Sequence, residues 1–375
     1  MINKTRIKKS TFLIVICTIC VSCSGVQRAD IAAQSGPAPT HIPDHIYRIL
    51  SLAAYAPSGH NTQPWTVTIT GNDSFSVGAD TARRLPGVDP DNRELMISMG
   101  AFLEAVSIAA QLNDYNARIT ITARDAHDIS IAAVKLEPRK NPSVFTEDDI
   151  RRRRIVRKGH LGKDISRDDI SFITQDLSGS DISYEYFSSS SPTGRKLASL
   201  TVEANRIQAY RDDAEEELSR WIRFRDNDAR THRDGLTPES MEITGIPGFV
   251  VRHFYDSASV MDESFRSRSV AMAEDMTSSY GGWILIRSKS SSAANLINTG
   301  RYFFRLSLRV RHRMIAIHPM TQILEEQSVK DTLIRTTGVK GDIQFILRTS
   351  YLSSYPEPVS LRRAPDDFVI KGDAR

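Results

Sequence analysis

Between Ala56 and Trp65 the chain reads APSGHNTQPW, and this decapeptide must carry a change from helical to extended backbone within a few residues. Upstream, Ile46, Ile49, Leu50 and Ala53 share one face of a helix over residues 42–55. Gln63 precedes Pro64, and a residue before proline is pushed out of the α region, so the helix has to end before it. Downstream, Trp65, Val67 and Ile69 alternate with threonines, the period of a half-buried strand. Ser58, His60, Asn61 and Gln63 therefore lie in the turn, at the mouth of a packed layer. Ser58 and Asn61 serve equally well there as turn or capping residues.

Four more stretches stand out. Residues 83–104 read RRLPGVDPDNRELMISMGAFLE, in which Asp89 and Pro90 suit a helix start and Arg93 and Glu94 open a long helix. Along it, Ile97, Gly100, Ala101, Ala105 and Ala109 allow close packing, either of core against core or of a cofactor. Thr146, with Asp149 three residues on, marks a short acidic helical turn, followed by Arg151, Arg152, Arg153, Arg154, Arg157 and Lys158. Such a run is a solvated face or an anion-binding patch. From Ala293 to Ile315 a helix carries Phe303, Leu306, Val310 and Met314 on one side and Arg301, Arg305, Arg309 and Arg313 on another. The arginine stripe reads as a solvated face, with a docking surface for anionic lipid as the alternative. From Gly341 onward a strand with Ile343, Phe345 and Leu347 on one face leads to a proline-punctuated turn and then Arg362 and Arg363.

The decapeptide resembles the element by which the nitroreductase family reaches across a subunit interface to FMN, residues 83–104 look like a segment of its Acg-type branch, and residues 341–369 resemble the nitroreductase C-terminus. The resemblance implies an α+β fold: a nitroreductase-like FMN-binding fold with two pseudo-dimeric halves in one chain, central antiparallel or mixed sheets and flanking helices. A carboxamide matches the donor and acceptor edge of an isoalloxazine without ionising, which makes Asn61 the best candidate for that contact. By the same resemblance Ser58, His60 and Gln63 border the ring. Arg154 and Lys158 fall on two of the three places of an Arg-x-Ser-x-Lys/Arg phosphate motif, whose middle place is Val156 here. Arg153 and Arg157 either compensate or hold those places one residue earlier. Arg362 and Arg363 return to the same phosphate, and Pro319 and Gln322 border the reactive edge of the ring. The halves are expected at 42–145 and 146–375, with a covering lid inserted around 225–256.

Compartment is read from the start of the chain. Lys4, Arg6, Lys8 and Lys9 precede an apolar run from Phe12 to Val21 and a small-residue junction at Cys23. This pattern is a signal peptide over residues 1–22, and its ending resembles a bacterial lipobox. The resemblance implies lipidation of Cys23, a tether over 23–41 and a membrane-anchored protein on the periplasmic face of the cell envelope, with the outer membrane one destination. The three cysteines all lie in this region, so the remaining body has no disulfide framework or thiol nucleophile. Of 49 basic residues the leader holds four, leaving 45 against 45 acidic ones, and nucleic-acid binding loses its electrostatic support. Histidine and cysteine spacing gives no metal site.

The function expected is FMN-dependent reduction of an electron-poor small molecule, of nitroaromatic or quinone type, by hydride transfer through bound FMN, with NAD(P)H or another donor. No residue is assigned a catalytic proton transfer, because the flavin carries the chemistry. A non-catalytic envelope protein that binds or sequesters FMN is the alternative.

Overall fold

The computed structural model describes residues 39–139, 142–177, 181–339 and 341–370. The leader, Cys23 and most of the tether lie outside the described residues. The chain forms an α+β structure of two sheets flanked by helices.

The helix after Pro43 runs Asp44–Ala53 and buries Ile46, Ile49, Leu50 and Ala53, the face set by its sequence period. It packs beside the first sheet, whose strand order is β3-β4-β2-β1-β9. β1 (Trp65–Gly71) and β2 (Ser74–Ala79) form a hairpin in which Trp65 pairs with Ala79 and Val67 with Val77. β3 (Tyr115–Ile121) and β4 (Ser130–Pro138) extend it on one side. On the other side β9 (Val369–Ile370), from the far end of the chain, pairs in parallel with Val67 and Thr68.

The second sheet has the order β5-β6-β8-β7. Its strands are β5 (Ile182–Ser188), β6 (Gly282–Ser288), β7 (Ile315–Pro319) and β8 (Asp342–Tyr351), all paired antiparallel. β6 and β8 are central and covered on both faces, which is why WILI and FIL are nearly continuous apolar runs rather than alternating ones.

Two long helices, Arg93–Leu112 and Ala293–Arg309, cross between the sheets. The first is long and apolar enough to span a bilayer by composition, yet it is buried inside the protein. A Cβ added at Gly100 would lie 1.9 Å from the carbonyl oxygen of Ile297, and one at Gly300 would lie 1.9 Å from that of Ile97. The contact is reciprocal, residue for residue, as in the self-complementary interface of a two-fold dimer. The small residues of the first helix therefore serve a helix crossing.

The arginine stripe is not a solvated face. Glu104, 1% exposed, accepts from Arg301 Nε at 2.8 Å and Arg305 Nε at 2.6 Å. Asp176 accepts from Arg309 Nε at 2.8 Å. A carboxylate as buried as Glu104 needs cations beside it, and the four-residue period supplies them from one helix face.

Alanine is the better helix former by about 1 kcal/mol, so Gly100→Ala or Gly300→Ala loses stability only through the crossing. Each substitution is expected to cost about 3 kcal/mol, and the double variant less than the sum, because parting the helices once relieves both clashes. Urea denaturation of the single and double variants measures this.

Candidate functional site

The decapeptide turns through residues 59–61, and His60, Asn61 and Gln63 take φ values of 45°, 55° and 52°. Left-handed backbone at three side-chain-bearing residues is unfavourable, and it is held by bonds on every side. Ser58 Oγ accepts from the Gln63 N–H at 2.9 Å. Asn61 Nδ2 donates to the carbonyls of Gly235 (3.0 Å) and Leu361 (3.2 Å), while its Oδ1 accepts from Arg362 Nη1 at 2.9 Å. Gln63 is fully buried; its Nε2 donates to the Arg233 carbonyl at 3.0 Å and its Oε1 accepts from the Arg363 N–H at 2.8 Å. Pairing of β9 with β1 lays Leu361, Arg362 and Arg363 against a turn some three hundred positions earlier.

The basic stretch begins as its sequence predicts, with Thr146 and Asp149 forming a capping box on the helix Glu147–Arg151. Beyond it the backbone runs beside β7, where the Val156 N–H donates to Ile317 at 3.3 Å. Arg153 Nη2 (3.4 Å) and Arg362 Nη2 (3.5 Å) both donate to the Tyr55 carbonyl, so the two basic elements meet behind the decapeptide. Arg154 Nη2 donates to Glu242 Oε1 at 3.0 Å and Nη1 to the carbonyl of Glu357. The backbone N–H of Arg157 reaches Glu242 Oε1 at 3.1 Å and that of Lys158 reaches Oε2 at 2.7 Å.

Burial and surrounding cations set the protonation states here. His318 is held well below the ordinary histidine range by burial, with Arg157, Arg348 and His160 adding to it. The ring is therefore neutral at pH 7, and its Nε2 accepts from Arg157 Nη1 at 2.7 Å. Burial lowers the Arg157 guanidinium, and burial with Arg157 beside it brings Arg348 down to about 10, at which Arg348 remains charged near neutrality. Burial also lowers His60, with Glu94 opposing and Arg157 adding to the shift. Tyr355 is pushed up to about 12 by burial, although Arg153, Arg311 and Arg154 act against that shift.

A third segment closes over both elements. Asp234, 1% exposed, accepts from Arg83 Nη1 at 2.7 Å and from Arg223 at 2.9 and 2.7 Å. Gly235 returns a backbone bond to the Asn61 carbonyl at 3.1 Å, and Glu242 sits among Arg154, Arg157 and Lys158. Residues 233–242 thus touch the carboxamides at one end and the cations at the other.

The structure accordingly gathers Asn61, Gln63, Arg153, Arg362 and Arg363 around the decapeptide, and Arg154, Arg157 and Lys158 around Glu242. Ser58 braces the turn. Pro319 ends β7 beside His318, and Gln322 opens the short helix Gln322–Glu325 with its Oε1 buried and unpaired. Sequence reasoning missed Asp234, Glu242 and His318. Asp234 and Glu242 lie within the stretch expected to cover the site and His318 beside Pro319, but each takes its role from partners far away in the chain. Among the described residues no three of His, Cys, Asp and Glu gather as a metal site.

The donor set, with guanidinium groups, an ammonium group and paired backbone N–H groups, fits a phosphate monoester. Space at the decapeptide is filled by the chain itself. A cavity lined by Gly59, Thr62, Arg83, Glu94 and Ser98 measures about 10 Å³, room for roughly one water. A larger cleft of about 340 Å³ is lined by Thr81, Arg84, Pro86, Asn92 and His127, away from the candidate residues.

Replacing Asp234 with alanine leaves the largely buried Arg223 without its carboxylate and Arg83 with Asp80 alone. The expected loss is about 3–5 kcal/mol in urea denaturation, with faster tryptic cleavage between residues 223 and 243.

No family model matches the chain. A Mycobacterium tuberculosis protein provisionally named an NAD(P)H nitroreductase is 32% identical over 107 residues, which are 28% of this chain and 31% of that protein. An uncharacterized protein of the same organism is 33% identical over 90 residues, 23% of this chain and 26% of that one. The chain thus spans about a third or less of the length of the curated relatives it matches. Among solved structures, a nitroreductase from Anabaena variabilis, so named provisionally, aligns with a TM-score of 0.42 at 9% identity, covering 88% of this chain and 92% of that one. The FMN-dependent nitroreductase NfnB from Mycobacterium smegmatis, in complex with NADPH, aligns at 0.36 and 14% identity over 56% and 93% of the two chains.

Proposed function

We propose that the chain is an FMN-dependent oxidoreductase of the nitroreductase type, an Acg-like fused pseudo-dimer with a single cofactor site at its seam. The observation that carries the reading is the meeting of the decapeptide carboxamides with Arg362 and Arg363, while Arg153 shares the Tyr55 carbonyl with Arg362. The reciprocal crossing at Gly100 and Gly300 supports the pseudo-dimer, and the partial match to a protein named an NAD(P)H nitroreductase supports the reaction class.

In this reading FMN, when bound, supplies two-electron transfer. Arg153, Arg154, Arg157, Lys158, Arg362 and Arg363 would hold its phosphate. Asn61 and Gln63 would meet the edge of the ring and orient it, with Ser58 keeping the turn in shape and His60, Pro319 and Gln322 bordering the site. Positive charge around the site favours electron gain nearby. A nicotinamide or other donor and an electron-poor acceptor of nitroaromatic or quinone type would be the protein's successive reaction partners. The second reading, FMN binding without turnover, is favoured by the engagement of Asn61 and Gln63 with residues 233–235. Export as a lipoprotein with Cys23 as its lipidated residue completes the proposal.

Charge-assisted contacts to phosphate contribute about 1.5–3 kcal/mol each, so Arg153→Ala with Arg362→Ala should weaken FMN binding by roughly a hundredfold or more in a fluorescence titration. Unchanged affinity discards the clamp. Bleaching of bound flavin by NADPH and recovery with a nitroaromatic establishes turnover, and absence of both in FMN-loaded protein favours sequestration. For the anchor, Cys23→Ser should move the protein from the detergent phase to the aqueous phase on Triton X-114 partitioning; retention in the detergent phase discards lipidation.

A further inference from the structure

One carboxylate in this protein is held as a phosphate is held. Two consecutive backbone N–H groups, of Arg157 and Lys158, point at the two oxygens of Glu242 at 3.1 and 2.7 Å, and Arg154 Nη2 donates to Oε1 at 3.0 Å. Lys158 Nζ donates to the carbonyl of the same residue at 3.0 Å. Successive N–H groups directed at one anion, backed by a guanidinium, make an anion-binding nest. The Glu242 side chain is 10% exposed, so little water shares the site.

The charge balance leaves room for a stronger anion. Arg154, Arg157, Lys158 and Arg348 surround Glu242, with Asp275 acting on Arg348 from beyond, while His318 is neutral. A single carboxylate only partly offsets these cations, and a phosphate dianion offsets them further. Glu242 itself sits at φ 58°, a left-handed conformation unfavourable for a residue with a Cβ. Gly245 follows at φ 64° with open space around it, so the turn that presents Glu242 has a permissive joint on its exit side.

We propose that Glu242 is a displaceable internal stand-in for phosphate. The nest holds either the Glu242 carboxylate, with residues 233–242 closed on Asn61 and Gln63, or the phosphate monoester of a ligand, with that segment released. Gly235 and Arg233 each accept one bond, from Asn61 and Gln63, so release of the segment, which also parts Asp234 from Arg83 and Arg223, frees one bond of each carboxamide and leaves Leu361, Arg362 and Arg363 on the others. The identification of that ligand as FMN rests on the function proposed above; the exchange itself does not.

The test uses the full body of the protein, with inorganic phosphate and FMN as separate probes. Glu242→Gln keeps the shape and removes the competing charge. It should tighten the binding of both probes by roughly tenfold or more, because a larger fraction of molecules is open. In the wild-type protein, phosphate or FMN should accelerate tryptic cleavage at Arg225, Arg230 and Arg233 relative to chloride at equal ionic strength, a readout that does not depend on the variant folding. Equal affinities in both proteins, no phosphate binding to either, or ligand-induced protection of those sites overturns the exchange. If phosphate shows the shift and FMN binds neither protein, the exchange stands and the FMN reading falls. If FMN binds both proteins equally, the FMN reading stands and the exchange falls.

Discussion

The approach of two helix backbones at Gly100 and Gly300 is the constraint on which the rest of the structure depends. Because each glycine faces the carbonyl of the isoleucine three residues before the other, neither helix can slide or rotate without losing both contacts. The crossing fixes the distance between the two sheets. It also brings Glu104 of one helix against Arg301 and Arg305 of the other, so the apolar seam continues into a buried ion-pair ladder. Separation between the layers then leaves one boundary, along the decapeptide, where polar groups from both sides meet.

That boundary is unusual for its concentration of guanidinium groups. Arg153, Arg348, Arg362 and Arg363 are all nearly buried, and much of their hydrogen bonding goes to backbone carbonyls rather than to carboxylates. Carbonyl oxygens solvate a cation but do not neutralise it. The result is an interior with fixed positive potential, tempered by Asp234 and Glu242 from within and by Asp80 and Asp367 at its margin. Asp234 and Glu242 come from one short stretch of chain, so the electrostatic balance of the site depends on where that stretch lies.

Much of the local architecture was legible in the sequence because it follows from short-range rules. Helix Asp44–Ala53, strand Trp65–Gly71 and the Thr146–Asp149 capping box lie where periodicity and capping chemistry put them. Gln63 shows where a local rule stops. Pro64 forces it out of the α-helical region, but its φ of 52° is chosen by bonds to Arg233 and Arg363. The arginine stripe looked solvated because its acidic partners lie 197 and 133 positions away, beyond the reach of any spacing argument. Glu242 was invisible for the same reason: nothing adjacent to it in the chain hints at the cations it meets.

The two-residue strand β9 has a kinetic meaning. A chain emerging from its N-terminus can build the β1–β2 hairpin early, yet the outer edge of β1 stays bare until Val369 arrives to pair with Val67. Closing so long a loop is slow relative to local pairing. Leu361, Arg362 and Arg363 travel with that strand, so the turn at Asn61 matures in the same late event that seals an aggregation-prone edge. Quality control of the edge and assembly of the site are thus one folding step.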